Sequence, residues 1–169
     1  MAIPSKMTSG VPIECEIRAA AARDIPEIVE VWGELALFHA TLNRAFAPSE
    51  TWREEYRQFI RELLGRDDAL AVVAEADDRL IGYGVGRTSL LPAFFERRRR
   101  GYIHDIVTRA SYRRQGVGRR LVAALLEWMH ASGVVTVELT VAVRNPDAVA
   151  FWAAQGFIPY MHHLKRELG

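Results

Sequence analysis

The chain reads as an α/β protein built on a mixed sheet, and three observations predict this. Two stretches place apolar residues three and four apart behind an Asp or Thr cap. Two runs rich in β-branched residues flank the short turn Asp77-Asp78-Arg79, which reads as a hairpin. From Tyr102 onward, strand-type and helix-type patterns alternate. The predicted order is βααββ followed by β, helix, β, helix, β.

Residues 13–18 alternate well enough for a first strand. Asp24 then caps a helix whose apolar face carries Ile25, Ile28, Val29, Trp32 and Leu35. Residues 39–50 read as a loop. Thr51 with Glu54 makes a capping-box pattern, and Trp52, Tyr56, Phe59, Ile60, Leu63 and Leu64 line one face of the second helix before Gly65 stops it. Residues 70–76 and 80–88 form the hairpin. Gly82, Gly84 and Gly86 alternate in its second strand, which implies either a bulge or the close approach of another group. After a loop with Phe94, Phe95 and Arg97 to Arg100, residues 102–108 predict another strand. Leu121, Val122, Leu125, Leu126 and Met129 mark a helix closed by Gly133, and residues 135–143 alternate as a strand. Asn145, Pro146 and Asp147 open a last helix that Gly156 ends, and residues 157–164 are expected to return as a final strand.

At 169 residues the chain suits one domain over residues 13–169, with residues 1–12 a loose leader of Pro, Ser and Gly without periodicity. The 22 Lys and Arg nearly balance the 21 Asp and Glu, which removes the case for a general nucleic-acid binder. Cys15 is the only cysteine, so no intrachain disulfide and no cysteine-based zinc cluster can form; a reducing cytoplasm fits best. No apolar run reaches the roughly 18 residues that would span a bilayer. His162 and His163 are adjacent, would face opposite ways on a strand, and suggest no metal site.

The stretch YRRQGVGRRL, residues 112–121, carries the chemistry. It spells neither a P-loop nor a dinucleotide fingerprint. Arg113, Arg114, Arg119 and Arg120 crowd a helix start that is already positive through the macrodipole, an arrangement that an anion would reverse from cost to gain. With Gly116 and Gly118 allowing backbone N–H groups to come close, the turn fits a pyrophosphate; a solvated arginine cluster is the competing reading.

Arg113-x-x-Gly116-x-Gly118 resembles the R/Q-x-x-G-x-G/A signature of the GNAT superfamily of acyl-CoA-dependent N-acyltransferases. The preceding HDIVTRASY, residues 104–112, resembles that family's central strand, and Asn145, Ala148, Phe151, Gly156 and Phe157 resemble its N-x-x-A-x-x-F-Y-x-x-x-G-F segment. The resemblance implies a mostly antiparallel sheet flanked by helices and splayed at its central strands. It implies acetyl-CoA as acyl donor, with the pyrophosphate held by the segment Arg113, Arg114, Gln115, Gly116, Val117, Gly118, Arg119 and Arg120. Ile106, Val107 and Thr108 would pair with the pantetheine arm, while Asn145 and Phe151 support the thiol end. The acceptor would be a primary amine of a small molecule or peptide, attacking directly in a ternary complex, and a homodimer is a further expectation.

His104 is the candidate base, because relatives carry Glu or His there and imidazole can take a proton at neutral pH; a histidine hydrogen-bonded within the sheet is the bland alternative. Asp105 should point to the opposite face. Trp152 stands where many relatives place a tyrosine that protonates the leaving thiolate, and indole cannot do so; Tyr160 is the substitute candidate. That departure keeps open a non-catalytic acyl-CoA-binding regulator on the same fold. The arginine groups 97–100 and 113–120 leave an anion- or nucleic-acid-binding module as a third, less favoured reading.

Overall fold

The computed structural model describes residues 13–96, 99–166 and 168. Five strands form one sheet in the order β1-β2-β3-β4-β5: β1 (Glu16–Ala19), β2 (Ala69–Ala76), β3 (Arg79–Leu90), β4 (Arg99–Thr108) and β5 (Thr136–Glu138). The first three pairings are antiparallel and β4 with β5 is parallel, so the mostly antiparallel mixed sheet is present. At the β2–β3 turn, Asp77 and Asp78 both take left-handed φ values (50° and 57°), the conformation that two-residue hairpins require.

Helices cover both faces. α1 (Ile25–Leu42) and α2 (Trp52–Leu64) bury Ile28, Val29, Ile60 and Leu63 against Val73, Tyr83, Val85 and Val107. On the other face α3 (Val117–Ala131) lays Leu121, Leu125 and Met129 over Val72, Ala74, Ile81 and Ile103. The alternate glycines of β3 face this helix. A Cβ at Gly82 would lie 2.6 Å from the Val107 carbonyl oxygen, and one at Gly86 would lie 2.6 Å from the Met129 methyl. The bare strip therefore answers to close approach, and a bulge lies beside it between Val85 and Gly86. The last helix is α4 (Pro146–Ala154).

Several sequence expectations are corrected. α1 runs on through residues 39–42, because no Gly or Pro occurs between Gly33 and Asn43, where the backbone turns extended and the Asn43 side chain accepts from the Ala45 amide. Thr51 does precede α2, yet the capping box does not form: its hydroxyl donates to Glu55 (2.6 Å) while Glu54 pairs with Arg57. β1 begins at Glu16, and β4 begins at Arg99, whose neighbour Arg100 reaches Glu138 (3.5 Å). Arg97 and Arg98, like the expected leader 1–12, lie outside the described residues. β5 has three residues, and residues 157–164 form no strand. Both shortfalls share a cause: alternation creates a strand only where a neighbour supplies the ladder, and β4 pairs β5 only from Arg100 to Tyr102. Among the described residues no helix is long and apolar enough to cross a membrane.

Candidate active site

The site is built around the divergence of β4 and β5. Their ladder ends at Tyr102 and Glu138, so the splay expected at the central strands is present and Ile103 to Thr108 have β3 on one side only. Within that stretch Val85 pairs with Asp105 and Gly86 with Ile103, which leaves His104 as the extra, unpaired residue of a β-bulge.

The bulge corrects the expected alternation. Arg87 and its cross-strand partner Tyr102 face the side of the sheet covered by α1 and α2, as Tyr83 and Val85 do. The His104 ring lies edge-on to Tyr102, with centroids 4.9 Å apart, and feels the Arg87 charge. Asp105 also points to this side, where Tyr56 of α2 donates to its carboxylate (2.8 Å). His104 and Asp105 thus share a face, because one inserted residue cancels one alternation.

Their electrostatics differ. His104 is exposed, and partial desolvation, assisted by Arg87, lowers its pKa from the usual imidazole value, which favours the neutral ring. His104 makes no side-chain hydrogen bond to a described residue. Burial raises the Asp105 pKa, against the pull of hydrogen bonds from Tyr56 and Tyr83. The two hydroxyls also bond each other (3.0 Å), and burial pushes both phenols well above their ordinary value. Arg87 reaches Asp68 with one terminal nitrogen (3.1 Å), while its Nε is a buried donor without a partner among the described residues. The sequence disclosed Tyr56 only as part of an apolar helix face and Asp105 only as a neighbour of His104. Their contact spans 49 positions, and no local pattern encodes it.

The arginine-glycine turn follows the other end of β4. Arg114 (φ 63°) and Gly116 (φ 85°) are both left-handed, and Gly116 is the residue from which α3 starts. The first bond of the helical ladder runs from the Arg120 amide to the Gly116 carbonyl (3.2 Å), so the amides of Val117, Gly118 and Arg119 lie outside it. A Cβ added at Gly116 would meet nothing within 4 Å. An open, left-handed turn ahead of free first-turn amides fits an anionic phosphate group.

The side chains around this cradle are placed as follows. Arg113 donates from Nε to the Thr108 carbonyl (3.2 Å) and Gln115 to the Ser111 carbonyl (3.0 Å), so both brace the loop. Arg114 and Arg119 are exposed at the mouth. Arg120 turns toward the start of the chain, its guanidinium 3.0 Å from the Cys15 sulfur. Val117 is buried in the core under α3. Phe151 of α4 lies 3.4 Å from where a Gly118 Cβ would be, with the Thr108 hydroxyl at 3.7 Å, so α4, the turn and the end of β4 meet there. Ile106 packs toward α3 and Val107 toward α1 and α2. The Asn145 carboxamide caps α4 through the Ala148 amide (3.1 Å). Trp152 packs edge-on between Phe151 (5.0 Å) and Phe157 (5.2 Å) and belongs to the core. Tyr160 is 76% exposed in the irregular segment after α4.

Comparisons with known proteins identify the family and the fold. The model of the family described as Acetyltransferase (GNAT) family matches residues 36–157. An uncharacterized N-acetyltransferase of Archaeoglobus fulgidus is 29% identical over 140 residues, covering 83% of this chain and 90% of its own. Among solved structures, glucosamine-6-phosphate N-acetyltransferase from Arabidopsis thaliana superposes with a TM-score of 0.70 at 18% identity, covering 93% of this chain and 100% of the other. An aminoglycoside acetyltransferase from an uncultured soil sample does so with a TM-score of 0.68 at 18% identity, covering 92% and 97%. At such identities the structures establish the shared fold.

Proposed function

Because the chain belongs to the GNAT family of acetyltransferases, we propose that it moves an acetyl group from acetyl-CoA to the primary amine of a small molecule or peptide, by direct attack in a ternary complex. The observation that carries this reading is His104: a neutral imidazole without a hydrogen-bond partner among the described residues, lifted out of the ladder by a bulge where the sheet opens. The cradle lies at the far end of the same strand, since Arg113 bonds to Thr108 and Gly118 neighbours it. Coenzyme A held there by the Val117, Gly118 and Arg119 amides would run along Ile106 to Thr108 toward His104.

An amine of pKa about 10.4 arrives protonated and must lose that proton to attack. His104 takes it, directly or through water. The nitrogen–carbon bond forms, the carbon–sulfur bond breaks, and a backbone N–H of the unpaired edge of β4 near Val107 offsets the negative charge developing on the carbonyl oxygen. Trp152 is packed and cannot donate a proton, so the thiolate, with a pKa near 8.5, leaves unassisted or takes a proton from water. The packing of Trp152 is also what favours the second reading, a regulator that binds acyl-CoA without turnover.

Acetyl-CoA is expected to raise the apparent Tm where NAD and ATP do not. Free-thiol release on a panel of amines then separates enzyme from regulator. His104→Ala should lower kcat by about 10²-fold or more with acetyl-CoA binding unchanged; an unchanged kcat at saturating amine would remove His104 from the mechanism. The reading extends to a homodimer, supported by the exposed apolar side chains Ile158, Tyr160, Met161 and Leu164. Sedimentation equilibrium of Leu164→Asp against the natural chain tests it, and a monomer in both refutes it.

A further inference from the structure

Between α1, the residues before α2, and α2 itself lies a pocket of about 360 Å³ whose walls are Trp32, Trp52, Tyr56 and Phe59, with Ser49 and Glu55 at its edge. Trp32 stacks on Tyr56 (4.3 Å between centroids) and is tilted against Trp52 (5.1 Å). Trp52 itself lies against the bare Gly33 of α1, where a Cβ would approach the indole to 2.7 Å, so the ring is held in place. Glu55 is the only charged group in this lining. Ser49 (3.0 Å) and Thr51 (2.6 Å) donate to its two oxygens, and these bonds hold its pKa below the usual carboxylate value. Ring faces carry negative charge at their centres, and a carboxylate beside them adds to it, a combination that selects a cation with an apolar stem over an anion or a neutral polar group. The Arg53 guanidinium, 4.5 Å over the Trp52 ring, illustrates the preference with the chain's own cation. The pocket is tied to the base through one side chain, since Tyr56 lines it and donates to Asp105, the residue after His104.

Resting on the acetyltransferase reading above, we propose that this pocket receives a second, charged nitrogen of the acceptor, which makes the substrate class a linear di- or polyamine. One ammonium lies among the rings beside Glu55 while the other nitrogen is delivered to His104. The charge difference between the two ends is built into the site. Glu55 faces the first nitrogen, and the second is delivered where the Arg87 charge acts on His104, which favours a neutral amine.

Thiol release from acetyl-CoA, with 1,4-diaminobutane and spermidine compared against n-butylamine and 2-phenylethylamine, tests the proposal. The diamines should exceed n-butylamine in kcat/KM by about fivefold, the size of a cation–π contact at an exposed site. Glu55→Gln and Trp52→Leu should bring that ratio to near one, and Glu62→Gln, on α2 outside the pocket, should leave the ratio as it is. A ratio near one in the natural chain overturns the proposal, as does 2-phenylethylamine outrunning the diamines with Glu55→Gln without effect. If no amine releases thiol, the catalytic reading fails separately, and tryptophan fluorescence still reads the pocket. Quenching by 1,4-diaminobutane at concentrations where n-butylamine has no effect, lost in Glu55→Gln, supports the site, and the absence of a difference overturns it.

Discussion

At His104, the proposed base, the lowered pKa should set the acid limit of activity. In that role the neutral ring would be the active form, and a depressed pKa keeps it neutral to lower pH than a free imidazole. Because the proton the amine loses is the one His104 takes, log kcat/KM should rise with pH at a slope of one below the His104 pKa and level off above it. His104→Ala should leave a slope of one throughout, which a pH series of thiol release would read. Two carboxylates act on stability with opposite signs. Arg18 donates to both oxygens of Asp24 (2.7 and 2.8 Å), and this lowers the Asp24 pKa. Its contribution is therefore present above the unfolded value near 3.9 and is lost as pH falls through the folded one. Asp24→Asn should cost about 2 kcal/mol at pH 7. Asp105 has a raised pKa, so its favourable state is the protonated one, lost as pH rises through the folded value. Asp105→Asn should therefore not lower Tm at pH 7, and Tm measured from pH 3 to 8 would separate the two carboxylates. At this scale Gly116 was legible because a left-handed residue before a helix calls for glycine. The Asp105–Tyr56 contact and the facing of Asp105 were hidden, because they depend on how β4 registers against β3.

Among the elements, α3 and β3 are matched surfaces. Leu121, Leu125 and Met129 need a strand without side chains beneath them, and Gly82, Gly84 and Gly86 provide it. Substitution should be graded by what the new methyl meets. Gly82→Ala drives it into the Val107 carbonyl, part of the backbone, and should cost about 1–3 kcal/mol by urea unfolding. Gly86→Ala meets the mobile end of Met129 and should cost less, and Gly65→Ala, with its nearest atom at 3.7 Å, still less. The helices were readable because their apolar faces repeat within one segment. β5 and residues 157–164 were over-read, since their alternation is real and a partner strand is what they lack. Thr51 marked the start of α2 correctly, although its hydroxyl bonds forward to Glu55 and not to the backbone.

For the molecule as a whole, the sheet divides the labour. The face under α3 carries the arginine-glycine turn, the face under α1 and α2 carries Asp105, Tyr56 and the aromatic pocket, and β4 runs between them. Acetyl-CoA lying in the splay should slow hydrogen exchange at Ile103 to Thr108 and at Val117 to Arg119 more than elsewhere, measurable by mass spectrometry with and without the ligand. Protection confined to Val117 to Arg119 would mean that the pantetheine arm does not follow β4. The strand order has another consequence. Since β1 to β5 lie in the sheet in the order in which they occur along the chain, each strand leaving the ribosome finds its neighbour already made. The antiparallel platform through Thr108 is synthesised before residues 113–118, and the one parallel pairing, which must wait for α3, comes last. During biosynthesis the cradle is therefore laid onto a support that precedes it.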